Sequence, residues 1–349
     1  MKKTQVALAA LALVASTAAM AGEVSIGGYM DAGVQKSTGN SAVLTGGNLD
    51  INNIHFAASE EVDGIKAGAF ALVRFESTTG ALTRVSQGDT ANFFEIAHLN
   101  VGSATLGTLE FGRTVDSFWG NGIAGFDVTG GGNNGSAVSS VLNLMTSKVF
   151  VDNSVHYVSP NISGLTVAAT YVMQTSTTGS TIDYAAKGDQ SITANYSANG
   201  LRLGAGYMKG GSDSVGASKG YFVAAGYDLG VANVNVIAQQ AKDVDDVTIK
   251  NIGINAAIPL SGPLSATVGY YKDSGSGSFY TTNLGGTLGN TGAGSSYNAG
   301  LLYQLSKRTR LFANYQHTTS GVVTNVGLSS PSGGNVIGTS ITAGIGHSF

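Results

Sequence analysis

Apolar and polar residues alternate one by one through much of this chain, with the period of two that a β-strand imposes. Residues 340–349 show it clearly, because Ser, Thr and Gly face one way and the other face carries Ile341, Ala343, Ile345, His347 and Phe349. Residues 24–34 repeat it, with Val24, Ile26, Gly28, Met30, Ala32 and Val34 on the apolar face. An unpaired strand edge invites aggregation. We therefore expect these two strands to pair with each other and close the sheet into a barrel.

The same alternation predicts sixteen antiparallel strands joined by connections of two lengths. Short turns such as Asn199-Gly200, a strong two-residue hairpin signal, alternate with long loops rich in Gly, Ser and Thr. The long loops lie near residues 175–188, 209–219, 272–295 and 319–335, and the longest irregular segment is 114–148. Outer-membrane barrels show this difference between short periplasmic turns and longer external loops.

Composition narrows the fold class. The 349 residues include 51 Gly, 4 Pro and 11% charged residues, which suits strands and turns better than a helical enzyme or a disordered chain. No run after residue 21 reaches the ~18 to 20 apolar residues of a membrane helix. The competing fold is a secreted all-β protein with stacked sheets, but polar residues opposite the apolar faces suit a wet interior. The sequence therefore predicts an all-β, sixteen-stranded antiparallel transmembrane β-barrel formed by residues 22–349.

The first 21 residues have the layout of a cleavable secretory signal peptide. Lys2 and Lys3 precede the apolar run 6–14, and Ala19-Met20-Ala21 offers a small-residue cleavage site. Removal of residues 1–21 changes the formal charge from −3 to 16 − 21 = −5, so we expect no nucleic acid as a partner. The chain has no Cys, which excludes disulfides, thiolate catalysis and Cys-ligated zinc.

Tyrosines of the apolar phase lie at strand ends, as expected for the aromatic belts of a membrane barrel. Residues near the short turns are Tyr157, Tyr196, Tyr227, Tyr303 and Phe349. Residues near the long loops are Tyr171, Tyr207, Tyr270 and Tyr315. Tyr is also a good strand residue in general, but clustering at strand ends favours the belts.

Signals of enzymes and metal sites are weak. Residues 216–220 match the motif G-x-S-x-G around Ser218, but they fall in a Gly/Ser-rich stretch rather than a strand–turn–helix. The five His residues are isolated and lack metal-ligand spacing. Asp243, Asp245 and Asp246 could hold a divalent cation shared with lipopolysaccharide phosphates, although a solvated loop is the simpler interpretation. We therefore expect no enzyme, no cofactor and no resident metal.

Several segments, taken in order, resemble the Gram-negative general porin family. They are DAGV (31–34), LEFGR (109–113), DNSVHYVSP (152–160), YQLSKRT (303–309) and HSF (347–349). The resemblance implies a trimeric outer-membrane barrel, set among lipid and lipopolysaccharide, through which small hydrophilic solutes and ions diffuse. It also implies that the third external loop, residues 114–148, folds inward and narrows the pore. The C-terminal strand ending in Phe349 would be the assembly signal for the barrel-assembly machinery.

The resemblance also indicates a pore constriction, in which basic wall residues face acidic residues of the third loop across a narrow passage. Arg113 matches a wall arginine. Strict alternation from Phe111 would point it at lipid, so a lumen position requires a bend at Gly112. On the loop, Asp127 is the first acidic candidate and Asp116 the second.

Other charges expected on the inward phase are mixed in sign: Arg74, Glu76, Glu110, Asp152, Arg202 and Arg310. We include the first three in the expected constriction. Where relatives often carry basic wall residues, this chain has Tyr29, Asn53, Val158, Gly346 and Ser348. The mixed set predicts weak ion selectivity that leans toward cations.

Other functions stay open at this stage. A substrate-specific porin for a sugar or an organic anion would need a binding track, and only Trp119 and Phe126 offer rings near the expected constriction. A barrel with a mainly adhesive or structural role would have an occluded pore. An outer-membrane hydrolase would depend on Ser218.

Overall fold

A computed structural model describes residues 22–82, 93–129, 149–173, 188–210, 217–243, 248–276, 280–281, 286–287, 294–319 and 338–349. The predicted signal peptide lies outside these ranges. Sixteen long strands form the sheet: β1 (Glu23–Ser37), β2 (Asn53–Val62), β3 (Ile65–Arg74), β4 (Ile96–Ser103), β5 (Gly107–Val115), β6 (Phe150–Val158), β7 (Leu165–Val172), β8 (Gln190–Ala198), β9 (Leu201–Lys209), β10 (Ala217–Asp228), β11 (Asn233–Asp243), β12 (Thr248–Ser261), β13 (Leu264–Ser276), β14 (Gly294–Gln304), β15 (Thr309–Thr318) and β16 (Gly338–Ser348).

The sheet closes on itself as the alternation predicted. Each strand pairs antiparallel with the next, and β16 pairs with β1. In this closing ladder Val34 lies opposite Ala343, and Met30 lies opposite His347. The backbone N–H of Phe349 donates to the Gly28 carbonyl over 3.1 Å, and the Gly28 N–H returns a bond to Phe349 over 3.0 Å. Among the strands that the structure describes, closure leaves no long sheet edge exposed to other chains.

The sequence pattern missed one element beside this closure. Residues Val43–Gly46 form a short strand on β1, with Leu44 opposite Val34. β1 continues to Ser37, whereas β2 begins at Asn53 and reaches only Tyr29 of β1. The short strand therefore pairs with a part of β1 that β2 does not reach. A further pair of short strands, Tyr280–Thr281 and Gly286–Thr287, forms a separate two-stranded sheet.

Tight turns join strands at one rim of the barrel. Asn199 and Gly200 connect β8 to β9 with φ values of 50° and 80°, and Asp63 and Gly64 connect β2 to β3 with 53° and 77°. Positive φ at both central positions belongs to the turn type whose twist matches the flanking strands. The predicted hairpin at Asn199-Gly200 is thus confirmed.

The two faces of the wall differ in composition, as the strand period requires. Large apolar residues stand exposed on the outer face, and the tyrosines predicted there are among them: Tyr171, Tyr196, Tyr207, Tyr227, Tyr270, Tyr303 and Tyr315. Tyr157 is half-buried, because its hydroxyl donates to the Leu106 carbonyl over 2.9 Å. In the described ranges, no helix has the length and hydrophobicity of a membrane span.

Candidate functional site

Residues 116–129 lie against the inner wall of the barrel. They form a π-helical turn, Phe118–Gly122, and a 3₁₀ turn, Ile123–Phe126. The Ser117 N–H donates to Thr170 Oγ1 of β7 over 2.8 Å. Arg202 of β9 donates to the Gly125 carbonyl over 2.9 Å. Because these partners occupy the inward phase of their strands, the described part of the third long loop lies inside the barrel.

Apolar side chains reinforce this attachment. Phe118, Ile123 and Phe126 of the loop are buried. The ring of Phe118 meets that of Phe222, on β10, edge to face at 5.1 Å between centroids. The guanidinium of Arg202 lies over the Phe126 ring at 5.6 Å. The loop and the inner wall therefore share a small hydrophobic core.

Two glycines of β9 make room for these rings. A Cβ on Gly204 would collide with Phe126, and a Cβ on Gly206 would collide with Phe222. From sequence, the inward faces, which carry these glycines beside polar residues, predicted only a wet interior. The structure shows that they are hollows that accept aromatic rings. We call the inner faces of β7 to β13 the loop-bearing wall.

Asp127, the first acidic candidate on the loop, is tied to this wall. Its Oδ1 accepts hydrogen bonds from Tyr271 Oη over 2.8 Å, from Thr129 Oγ1 over 2.6 Å and from the Thr129 N–H over 2.9 Å. Among the residues that the structure describes, Oδ2 has no hydrogen bond. The contacts of Asp127 thus join the loop to β13.

Asp116, the second candidate, fixes the start of the same segment. Ser191 of β8 donates to Asp116 Oδ2 over 2.7 Å, and the Phe118 N–H donates to Oδ1 over 2.8 Å. The carboxylate is buried. Charge-assisted bonds of this kind are strong, so Asp116 holds the first loop turn on the wall.

Arg113 lies at the bend that the sequence required. Gly112 has φ 139°, and the register between β5 and β6 shifts between Gly112 and Thr114. Against β4 the register is unbroken, with Arg113 opposite Ala97. Arg113 Nη1 lies 2.7 Å from Asp152 Oδ1, and Nε donates to the Glu95 carbonyl over 2.8 Å.

The guanidinium is consequently bound within the wall. The Arg113 side chain is only 13% exposed, and its acidic partner is Asp152 of β6. In the described part of the chain, no ion pair joins Arg113 to Asp127. The structure therefore brings Arg113 together with an acid that the sequence placed among secondary candidates.

Arg74 and Glu76 occupy different positions near the end of β3. Arg74 pairs with Glu95 at 3.4 Å, with side-chain exposures of 4% and 0%. Alternation carried the strand through Glu76, but β3 ends at Arg74. Glu76 lies in the following turn, where its Oε1 accepts bonds from the Thr78 N–H over 3.3 Å and the Thr78 hydroxyl over 3.1 Å. Glu76 thus stabilises a turn rather than extending the strand.

Glu110 lies on the inner face of β5 beside histidines. It is opposite His156 of β6 in the ladder, and His156 Nδ1 lies 2.8 Å from Thr170 Oγ1. His98 stacks on Phe70 at 5.7 Å between centroids, and Phe70 stacks on His55 at 5.6 Å. The sequence treated these histidines as isolated, because only strand register brings them together. In the described ranges, no group of three or more His, Asp and Glu side chains could hold a metal ion.

A further part of the lumen lining lies on β1 and β15. Arg310 lies over the Tyr29 ring at 5.1 Å. The buried Asp31 accepts bonds from the N–H groups of Asn48 and Leu49, each over 2.8 Å, which pins the loop before β2. We call the inner faces of β1 to β6 and β15 the charged wall.

The weaker sequence motifs also have locations. Residues Ala217–Gly220 of the G-x-S-x-G match open strand β10, and another strand, β11, follows it. This is not the strand–turn–helix of a nucleophile elbow. The side chains of Asp243, Asp245 and Asp246 lie outside the described residues.

Comparison with known proteins agrees with this geometry. A family model described as Gram-negative porin matches residues 7–321. The anion-selective porin from Comamonas acidovorans is 18% identical with a TM-score of 0.72, covering 94% of this chain and 100% of that chain. OmpT of Vibrio cholerae in its trimer form is 15% identical with a TM-score of 0.65, covering 94% and 100%. Salmonella typhi OmpF, in complex with daunomycin, is 15% identical with a TM-score of 0.61, covering 93% and 97%. No curated protein sequence matches the chain.

Proposed function

The chain belongs to the Gram-negative porin family, and from this premise we propose that it is a weakly selective channel narrowed by residues 116–129. A barrel of this family in the outer membrane provides a water-filled route for small hydrophilic solutes and ions. The observation that carries the proposal is the attachment of the loop segment to the loop-bearing wall through Ser117, Gly125 and Asp127. A loop held in this way narrows the cross-section of the pore by a fixed amount.

Weak selectivity follows from how the charges are paired. Arg113 with Asp152, and Arg74 with Glu95, each sum to zero formal charge. A paired charge acts at a distance as a dipole, so it attracts or repels passing ions less than a lone charge does. Arg310 and Glu110, of opposite sign, contribute to the remaining lining. The pore constriction is therefore proposed to involve Arg113 through its pair, rather than through a lone positive charge.

Single-channel conductance in a planar bilayer, with reversal potential across a potassium chloride gradient, tests this function. We expect an open channel whose permeability ratio for potassium over chloride stays close to one. Saturable block by one class of sugar or organic anion would instead favour a substrate-specific porin. A barrel that never conducts would favour an adhesive or structural role.

We also propose a homotrimer. The Vibrio cholerae OmpT structure in trimer form supports this by its shared fold, and Ala343 and Ile345 of β16 leave an apolar outer face near the barrel seam. A denaturing gel run without heating should show a slow species that heating converts to monomer. A sample that runs as monomer without heating would contradict the trimer.

Processing and assembly complete the proposal. Residues 1–21 are removed as a signal peptide, which N-terminal sequencing of the membrane-inserted protein would check. The strand ending in Phe349 engages the barrel-assembly machinery, so Phe349→Ala should lower the amount of inserted barrel.

The chain catalyses no reaction, and Ser218→Ala should leave any lipid or ester hydrolysis at background.

A further inference from the structure

A second loop segment, residues 47–52 before β2, lies inside the barrel on the charged wall. Asp31 of β1 shows its position, because this residue has the inward strand phase, whereas its neighbour Met30 is exposed on the outer face. The buried Asp31 carboxylate accepts bonds from the N–H groups of Asn48 and Leu49, each over 2.8 Å. The segment therefore lies against the inner surface of β1. We call residues 47–52 the inner segment.

Side-chain bonds fix both ends of the inner segment. Asn48 Nδ2 donates to Asp31 Oδ1 over 2.9 Å, and Asn48 Oδ1 accepts a bond from Thr45 Oγ1 over 2.8 Å. At the other end, the Asp31 N–H donates to Asn52 Oδ1 over 2.7 Å. Asp31, Asn48 and Asn52 are all buried. The backbone between the two asparagines is consequently held in one place on the wall.

The inner segment lies at mid-depth in the barrel. Asp31, to which it is bound, is near the middle of the 15-residue strand β1. The strand that follows the segment, β2, begins at Asn53, opposite Tyr29 of β1. Both contacts are several residues from either end of β1. Because the lumen of an outer-membrane channel is filled with water, ions that cross the pore pass this segment.

Asp50 is the charged residue of the inner segment, and it is exposed. Its Oδ1 accepts a bond from the Ile51 N–H over 2.7 Å. In the part of the chain that the structure describes, no ion pair includes Asp50. The acids of the third loop differ, because Asp116 and Asp127 are buried and each accepts bonds from the wall. Asp50 therefore keeps a carboxylate oxygen for solvent and for passing ions.

Two arginines of the inward phase flank the inner segment. Arg310 of β15 lies opposite Gly346, which in turn lies opposite Asp31. On the other side, Arg74 of β3 lies opposite the first residue of β2. The charges of both arginines act on the Asp50 carboxylate, yet within the described ranges neither forms an ion pair with it. Asp50 is thus an unpaired acid on the wall that carries the bases.

We propose that Asp50 is a selectivity-determining residue of the pore, which attracts cations and repels anions as they pass the inner segment. An unpaired charge acts on ions more strongly than a charge within an ion pair, because the fields of a pair partly cancel. Arg310, of opposite sign on the same wall, keeps the overall selectivity weak. The resemblance assigned the acidic role to the third loop, whereas the structure assigns it to the loop before β2. The inference rests on the proposed channel function.

The test is the reversal potential of Asp50→Asn across a potassium chloride gradient near 0.1 M, where charges act over about 10 Å. The permeability ratio of potassium over chloride should fall by about two- to fivefold, as expected for one unit charge acting through water at about 4–8 Å. Glu60→Gln removes the same charge from an exposed, outward position of β2 and is the matched control. Its ratio should equal that of the wild type. Heat-modifiable gel mobility shows that each variant is folded.

A charge-replacement experiment separates the charge of Asp50 from its shape. The chain has no Cys, so Asp50→Cys carries a single thiol. A sulfonate-bearing thiol reagent should restore the wild-type ratio, and a quaternary ammonium reagent should lower the ratio further. Equal responses to the two reagents would overturn the proposal, because the effect would then be steric.

A neutral substitution tests the position of the segment. Asn48→Ala removes bonds to Asp31 and Thr45 without changing the charge. The permeability ratio should fall by less than in Asp50→Asn, and Asn48→Ala should cause no additional fall in the Asp50→Asn background. An additional fall there would contradict the view that the segment acts through Asp50.

Labelling in lipid vesicles provides a readout that does not depend on current. A membrane-impermeant maleimide should label Asp50→Cys but not Ile54→Cys, which lies on the outer face. An unlabelled Asp50→Cys would overturn the proposal. A conducting wild type whose ratio is unchanged by Asp50→Asn would overturn this inference alone. A wild type that inserts but does not conduct would overturn the channel function, and this inference with it.

Discussion

The loop-bearing wall and the charged wall share one strand pattern but hold their contents differently. On β9, inward glycines leave hollows that rings fill, and residues 116–129 are attached by burial and by bonds such as that of Tyr271 to Asp127. On β3 and β5, Arg74 and Arg113 are matched by neighbouring acids, Glu95 and Asp152. The comparison teaches that, under the proposed function, the loop-bearing wall would set the size of the passage and the charged wall would set its charge.

The difference gives the two walls separate measurable properties. Loss of packing on the loop-bearing wall should change conductance, because the loop moves. Loss of a charge on the charged wall should change selectivity, because the loop stays in place. Variants that mix these effects would show that the walls are coupled.

The largest effect is expected at the buried ion pair. Glu95→Ala leaves the Arg74 guanidinium, whose side chain is 4% exposed, without its partner. Removing one member of a buried pair costs about 3–5 kcal/mol. Urea unfolding from lipid vesicles should show this loss. Arg74→Met combined with Glu95→Met should recover most of it, and exposed Lys66→Ala on the same strand serves as the control. Full stability in Glu95→Ala would contradict a pair that holds this wall together.

A smaller loss is expected when a hollow is filled. Gly204→Leu places a side chain where Phe126 lies, and overpacking of this kind costs about 1–3 kcal/mol. The loop should leave the wall, so conductance should rise and the emission of Trp119, the single tryptophan, should shift to the red. Ala205→Leu, on the exposed outer face of the same strand, is the control. Wild-type conductance and emission in Gly204→Leu would show that the loop position does not depend on this hollow.

Loss of one hydrogen bond should have a milder effect. Tyr271→Phe removes one donor to Asp127 Oδ1, which keeps its two bonds from Thr129, so the cost should be about 0.5–1.5 kcal/mol. Thermal unfolding should begin at a lower temperature, and single-channel current noise should increase, without a change of reversal potential. Tyr270→Phe, one residue away on the outer face, is the control. A shift of reversal potential in Tyr271→Phe would show that the Asp127 charge reaches the ion path.

The smallest energetic effect is expected for variants that change ion selectivity. Arg113→Ala leaves Asp152 unpaired and should favour cations, whereas Asp152→Asn leaves Arg113 unpaired and should favour anions. A unit charge that acts on an ion through the water of the pore contributes about 1 kcal/mol at 4 Å, which corresponds to about a fivefold change in the permeability ratio. The double variant should return close to the wild-type reversal potential. Reversal potentials that shift in the same direction in both single variants would contradict the claim that Arg113 and Asp152 neutralise each other.

Much of the fold could be predicted from local pattern. Alternation in β1 and β16 predicted their pairing, and Asn199-Gly200 predicted a hairpin that the backbone angles confirm. These features depend on residues adjacent in sequence. The short strand Val43–Gly46 was missed because it forms only where β1 extends beyond the reach of β2.

The candidate site was harder to predict from the sequence than the fold. Gly112 indicated the bend, but the partner of Arg113 depends on a register shift in β6, where Asn153 adopts φ 51°. Phe222 lies between the outward Tyr221 and Val223. Because all three residues are apolar, alternation does not show that Phe222 points inward and packs on the loop. Gly204 and Gly206 did offer a signal for this packing. They are two residues apart on the inward phase, so they lie next to each other on the inner face of one strand and leave room for two rings.

The seam between β1 and β16 has a consequence for the order of assembly. The hydroxyls of Ser37 and Ser340 meet across it, although 303 positions separate them in the chain. Closing a loop of that length costs about 5 kcal/mol of chain entropy, against about 1 kcal/mol for a tight hairpin. Hairpins should therefore form early and the seam late. Until the seam forms, the growing sheet has two unpaired edges. Barrel closure therefore competes kinetically with aggregation, in which an edge pairs with another chain.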